Sequence, residues 1–215
     1  MLPKIQPALS DYYSDNAEPL STRIFESIWN GLSNTNHSTE NDIKYKPKIL
    51  DLGRAQPDSF NFYSEHNCYL TIADCIQPFI NLSWPAGENP NGVLMEKIAK
   101  TISAPEKKYD LILAWDSLNY INPKVLPFVH NHLLNFCTNK TIIHGFVFTS
   151  ETYPTESGDF KIIDSDKIQH SVANNEVIRH SPLTPHAINK AMPSFKYARS
   201  VLMRSGLQEF MLIRK

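Results

Sequence analysis

Apolar positions recur along the chain at two spacings, and the elements follow from where the spacing changes. Ile24, Phe25, Ile28, Trp29 and Leu32 fall on one face of a 3.6-residue helix, with Ser21 as a candidate N-cap and Gly31 near the helix end. Residues 33–46 are polar and read as a surface loop. Lys48 to Gly53 and Tyr69 to Asp74 read as strands, with a short helix or turn between them. Residues 75–90 are ambiguous between strand and loop, because Pro78, Pro85 and Pro90 interrupt them. Val93, Leu94, Ile98 and Ile102 are spaced as a helix. Tyr109 to Trp115 is a near-continuous apolar run, as in a parallel strand covered on both faces. Asn122-Pro123 reads as N-cap and first residue of a helix whose buried stripe is Val125, Leu126, Val129, Leu133 and Phe136. Thr141 to Phe148 is a fourth strand.

From residue 150 to 194 the pattern weakens. The spacing there predicts an excursion with one short strand at Phe160–Asp164 and a helix near Thr184 to Met192. Two apolar runs around Arg204-Ser205-Gly206 then predict an antiparallel hairpin. Alternating strands and helices give an α/β fold: a Rossmann-like, doubly wound, mostly parallel sheet with helices on both faces and a C-terminal antiparallel hairpin. The expected organisation is an N-terminal arm (residues 1–19) and helix within 1–46, then one domain over 47–215 that carries the excursion.

Composition narrows the function. Lys and Arg total 21 against 22 Asp and Glu, a balance that does not favour nucleic acid or an anionic membrane as partner. No apolar run approaches the ~20 residues of a membrane span, and the N-terminus lacks the apolar core of a secretory signal. Cys68, Cys75 and Cys137 form no CxxC pair and read as reduced thiols, so a cytoplasmic location is expected. Only 7 glycines occur in 215 residues, and neither a Walker A sequence nor GxGxxG is among them. His130 and His132 lie two apart on a helix and cannot chelate one metal. No HExxH, EF-hand loop or G-x-S-x-G elbow is found, so no metal is expected. His144 reads as a packed core residue or a base. His180 and His186 in the excursion are better placed to reach a pocket.

Candidate chemistry gathers at strand ends. Asp51, Gly53, Asp74 and Asp116 sit at or just past the carboxyl ends of three expected strands, where doubly wound sheets bind ligands. With KILDLG as first strand and loop, YLTIAD as second, YDLILAWDSLNYI as fourth, TIIHGFVF as fifth and a reversed last strand in the hairpin, the chain resembles the class I S-adenosylmethionine-dependent methyltransferases. The resemblance implies methyl transfer to an unidentified small molecule or protein side chain, with S-adenosylmethionine as cofactor. It places Asp51, Gly53, Ala55, Asp74, Trp115 and Asp116 around that cofactor, with Asp74 on the ribose hydroxyls and Ser117 and Asn119 near the substrate.

The glycine loop departs from the family's pattern. Gly53 is kept, but Ala55 and Pro57 replace the second and third glycines. Along the family's loop path each replacement would cost about 1–2 kcal/mol of binding. The alternative is therefore a non-catalytic methyltransferase-like domain that has lost the cofactor and serves protein interaction. A nicotinamide-dependent Rossmann enzyme is a third reading.

Overall fold

Six strands build a central sheet, and the chain changes direction within it once. A computed structural model describes residues 18–34, 45–103, 105, 108–172, 176–179 and 181–215. Residues 1–17 of the expected arm, most of the expected 33–46 loop and His180 lie outside the described residues.

In chain order the elements are β1 (Leu20–Ser21), α1 (Arg23–Asn34), β2 (Lys48–Asp51), α2 (Pro57–Glu65), β3 (Tyr69–Ile72), α3 (Ile76–Ile80), α4 (Pro90–Thr101) and β4 (Tyr109–Trp115). There follow α5 (Leu126–Leu133), β5 (Cys137–Phe148), β6 (Thr152–Pro154), β7 (Asp159–Asp164), β8 (Lys167–Ser171), β9 (Val177–Arg179), α6 (Pro185–Ala191), β10 (Phe195–Leu202) and β11 (Leu207–Arg214). The central sheet has the order β10-β11-β5-β4-β2-β3. Strands β3, β2, β4 and β5 are mutually parallel, and β11 runs antiparallel to both its neighbours. The reversed strand is β11, in the final hairpin as the resemblance implied, and it adjoins β5.

Alternation along each strand divides the core. Ile112 and Ala114 point to one face with Leu50, Leu52, Leu94, Ile98, Val129 and Leu133. Leu111, Leu113 and Trp115 point to the other with Ile24, Phe25, Trp29, Phe62 and Phe146. That period of two, combined with helices on both faces, makes the strands apolar throughout. No helix among the described residues is long and apolar enough to cross a membrane.

Four local expectations are corrected. Ser21 is not an N-cap but pairs with Lys167 in β1, and α1 begins at Arg23 with Gly31 inside it. Its first turn is satisfied from afar: Ile24 N–H and Phe25 N–H donate to the Glu209 carboxylate at 3.2 and 2.9 Å. Residues 76–80 are helical. Asn122 opens a turn, its carbonyl accepting from Val125 and Leu126 N–H, and α5 starts only at Leu126. The excursion contains four strands rather than one: β7 and β8 form a sheet with β1, and β6 pairs with β9. Polar residues such as Lys161, Gln169 and Arg179 alternate there with few apolar ones, so the strand pattern is masked in the sequence.

Candidate functional site

The chain leaves β2 for β3 on one side and returns for β4 on the other, so the strand order reverses at the carboxyl ends of β2 and β4. Asp51, the last residue of β2, is buried there. Its Oδ1 accepts from Gly53 N–H at 2.8 Å and from Trp115 Nε1–H at 2.6 Å. Its Oδ2 accepts from Tyr63 O–H of α2 at 3.2 Å. Burial pushes the Asp51 carboxyl up to about 6, against the opposing pull of these three hydrogen bonds.

Trp115 ends β4 in a left-handed conformation, φ +47°. A residue with a large side chain occupies that region only when its surroundings hold it there. Gly145 makes room: a Cβ on it would lie 2.5 Å from the Trp115 carbonyl oxygen. The indole then lies directly on Gly53, where a Cβ would meet Trp115 Cδ1 at 2.6 Å. Over the indole stacks Phe160 of β7, with ring centroids 5.1 Å apart and planes at 12°. Phe160 in turn stacks on Phe146 at 5.3 Å and on His170 at 4.2 Å. Burial pushes the His170 imidazole down to about 3. The space beside Gly53 is thus filled by the protein's own aromatic rings.

The loop after Gly53 takes its own path. Ala55 is exposed and is not among the positive-φ residues, which are Asn67, Asp74 and Trp115. Pro57 is the first residue of α2, where its missing N–H costs nothing. The strain expected for Ala55 and Pro57 on the family's path therefore does not arise. Gln56 precedes the helix without a side-chain cap, and its carbonyl accepts from Ser59 N–H at 3.0 Å.

Asp74 lies just past β3. It is exposed, with φ +44°, and has no hydrogen bond or ion pair among the described residues. Asp116 follows Trp115 and is wholly buried. Its carboxylate accepts from Ser157 O–H and, at 3.2 Å, from Gly158 N–H. Burial pushes this carboxyl up to about 7, again against its hydrogen bonds. Tyr153 O–H adds a bond to the Asn119 carbonyl at 2.9 Å, and Tyr120 O–H one to that of Glu156 at 2.7 Å. Together these bonds fasten the excursion over the carboxyl ends of the strands.

Ser117 and Asn119 spend their polar atoms internally. Ser117 O–H donates to the Ala114 carbonyl at 2.6 Å. Asn119 Nδ2 donates to the carbonyls of Asp116 and Phe146 at 2.7 and 3.0 Å, and its Oδ1 accepts from Phe148 N–H at 3.0 Å. Both side chains are buried, so neither reaches an accessible surface. Asp51, Gly53, Trp115 and Asp116 are brought together; Ala55 and Asp74 stand at the surface beside them.

The histidines are dispersed. His144 is buried and its Nε2 lies 3.0 Å from Glu209 Oε1. His130 is buried on α5, His132 Nε2 lies 3.2 Å from the Ile102 carbonyl, and His186 is exposed on α6. No group of three or more potential metal ligands occurs among the described residues. Three cavities, of about 790, 330 and 480 Å³, are lined by residues other than Asp51, Gly53, Asp74, Trp115 and Asp116.

Sequence reasoning missed Tyr63, Ser157, Gly158, Phe160 and His170. None carries a local motif; each reaches the strand ends from another element.

No family model matches the chain, and no curated protein matches it. Solved structures do. A Burkholderia thailandensis 1,6-didemethyltoxoflavin-N1-methyltransferase, with 1,6-didemethyltoxoflavin and S-adenosylhomocysteine bound, is 13% identical; the match covers 88% of this chain and 79% of that one, TM-score 0.43. An S-adenosylmethionine-dependent methyltransferase from Clostridium acetobutylicum is 13% identical over 88% and 90%, TM-score 0.43. The PH0226 protein from Pyrococcus horikoshii is 12% identical over 95% of both chains, TM-score 0.46. At these identities and scores the likenesses assign neither cofactor nor substrate to this chain.

Proposed function

We propose that the chain binds S-adenosylmethionine at the carboxyl ends of β2, β3 and β4 and transfers its methyl group to a small molecule or a protein side chain. Asp74 carries this reading. An exposed carboxylate, held at positive φ past a strand end and without a partner among the described residues, suits a ligand bearing vicinal hydroxyls. The residues fit the cofactor in part. Asp74 would accept from its ribose hydroxyls, whereas the space at Asp51 and Gly53 is taken by the Trp115 indole.

The cofactor, when bound, supplies an electrophilic methyl group on a sulfonium centre. The protein's task is then chiefly to align an acceptor and exclude water, for which no strong base is needed. The Phe160–Trp115 stack and the excursion above it give a dry wall for that purpose. Asp116 is spent on Ser157 and Gly158 and acts as an anchor. Opening Asp51 to a ligand requires the indole to leave it.

A second reading is favoured by that same indole. Every hydrogen bond of Asp51 is internal, and Gly53 is covered, as in a domain that has closed its ligand crevice and works through its surface. Titration calorimetry with S-adenosylmethionine and S-adenosylhomocysteine separates the two. Methyl transfer predicts micromolar binding that weakens at least tenfold in Asp74→Ala, with stability lowered only by the ~1 kcal/mol that Ala costs at this positive φ. No heat at millimolar ligand sinks that reading in favour of the second.

A further inference from the structure

Strand β3 is the last in the central sheet, and among the described residues nothing pairs with its outer edge. The parallel ladder to β2 uses alternate residues: Tyr69 N–H donates to the Pro47 carbonyl at 2.8 Å and Ala73 N–H to that of Asp51 at 2.8 Å. The alternation of a parallel pair places Thr71 on the same side. The N–H and C=O groups of Leu70 and Ile72 therefore face outward.

Exposed strand edges are usually guarded by charge, proline or a bulge. The sequence Tyr69-Leu70-Thr71-Ile72 has none of these. Instead Tyr69 is 53% exposed, and Phe60 one turn into α2 is 44% exposed. Beside the edge runs a groove of about 480 Å³ lined by Phe60, Tyr63, Ser64, Cys68, Leu70 and Ile72. Phe60, Tyr63 and Ser64 share one face of α2 at i, i+3 and i+4, and Leu70 and Ile72 share one face of β3. An open main-chain row thus lies next to a shallow, open apolar slot.

We propose that this edge docks an extended peptide segment of another protein. The segment adds a seventh strand to the central sheet and inserts one large apolar side chain into the slot. The row of free N–H and C=O groups selects a strand over a helix, because only a strand offers matching groups at that spacing. The size of the surface selects a short segment over a second copy of this chain. Two open residues and six lining side chains fall well short of the roughly 20–30 residues per side of a stable interface between folded proteins. Main-chain pairing supplies affinity, and the slot sets the preference for Leu, Ile, Met or an aromatic residue.

The probe is a library of random nonapeptides displayed on phage, selected on the full chain. Enriched sequences are then synthesised and their affinity measured by fluorescence anisotropy. The expected result is a family of peptides with one invariant apolar position. Their binding should weaken at least tenfold in Ile72→Pro, which removes an outward N–H while leaving the ladder to β2 intact. Leu70→Lys, which charges the slot, should weaken it similarly. N-methylation of the peptide at alternate residues should abolish binding, a result independent of any variant's folding. Bound peptide should also slow alkylation of Cys68, which lies in the slot; Cys75 and Cys137 are buried. No enrichment, binding indifferent to peptide N-methylation, or a dimer in sedimentation that Leu70→Lys dissolves, would each overturn the proposal.

Discussion

Replacing Glu209 by Ala should be among the most damaging single changes to this chain. The carboxylate is fully buried in β11 and accepts three hydrogen bonds, from Ile24 N–H, Phe25 N–H and His144 Nε2. It does the work of an N-cap for α1 and ties His144 of β5 to the same carboxylate. Burial alone would raise its pKa, but the bonds from His144 and the two amides outweigh that, and the net shift is downward. Removing one partner of a buried pair costs about 3–5 kcal/mol. For a domain of this size that corresponds to a fall of about 6–20 °C in melting temperature. Glu209→Gln keeps one acceptor and turns an amide NH₂ toward a helix N–H, and should cost about 2–3 kcal/mol. The depressed pKa fixes the pH dependence. The contribution is complete above the ordinary value of 4.5 and is lost as pH falls through the lower folded-state value. Urea unfolding followed by circular dichroism at pH 7 and at pH 4 measures both effects. A loss below about 1 kcal/mol for Glu209→Ala, or a gap that widens in acid, would refute this account of how α1 is held.

Two further predictions concern the excursion's attachment. Asp116 is ionised in the unfolded chain above about 4 but holds its proton in the fold up to about 7. The wild type therefore loses stability as pH rises across that window, by at most about 4 kcal/mol. Asp116→Asn does not titrate, so its melting temperature should improve relative to wild type from pH 4 to pH 7; a constant difference would argue against a protonated Asp116. In Gly158→Ala the new Cβ would stand 2.1 Å from His170 Nε2 and 2.6 Å from the Ser171 carbonyl oxygen. The β7–β8 hairpin must then shift, at about 1–3 kcal/mol, and calorimetry showing an unchanged melting temperature would contradict the packing described.

The framework was legible because its signals are local. Leu111 to Trp115 is apolar at every position, as a strand covered on both faces is, and Ile24 to Trp29 repeats at helical spacing. The placement of Asp51 and Asp74 at strand ends followed directly. What fastens the strand ends was not legible. The partners of Asp116 lie 41 and 42 residues away, and Phe160 reaches Trp115 from a hairpin whose outward positions are polar. The left-handed turn at Trp115 depends on Gly145 in the neighbouring strand, a pairing that no spacing rule encodes. The Glu209–His144 contact left one trace: a lone carboxylate in LQEFMLI and a lone imidazole in TIIHGFVF, each otherwise flanked by apolar residues. Each is a polar exception in an otherwise apolar strand, and only the pairing of β5 with β11 brings the two together.

The hold of Glu209 on α1 also bears on the order in which the molecule can assemble during synthesis. Ile24 and Phe25 leave the ribosome about 185 residues before the carboxylate that caps them. Strand β11, which supplies it, pairs with β10 on one side and with β5 on the other. Helix α1 consequently stays without its acceptor until β11 has emerged, and contacts of such sequence separation form late. A nascent chain arrested before residue 209 should leave Trp29 accessible to a quencher, and extension through β11 should close the fold.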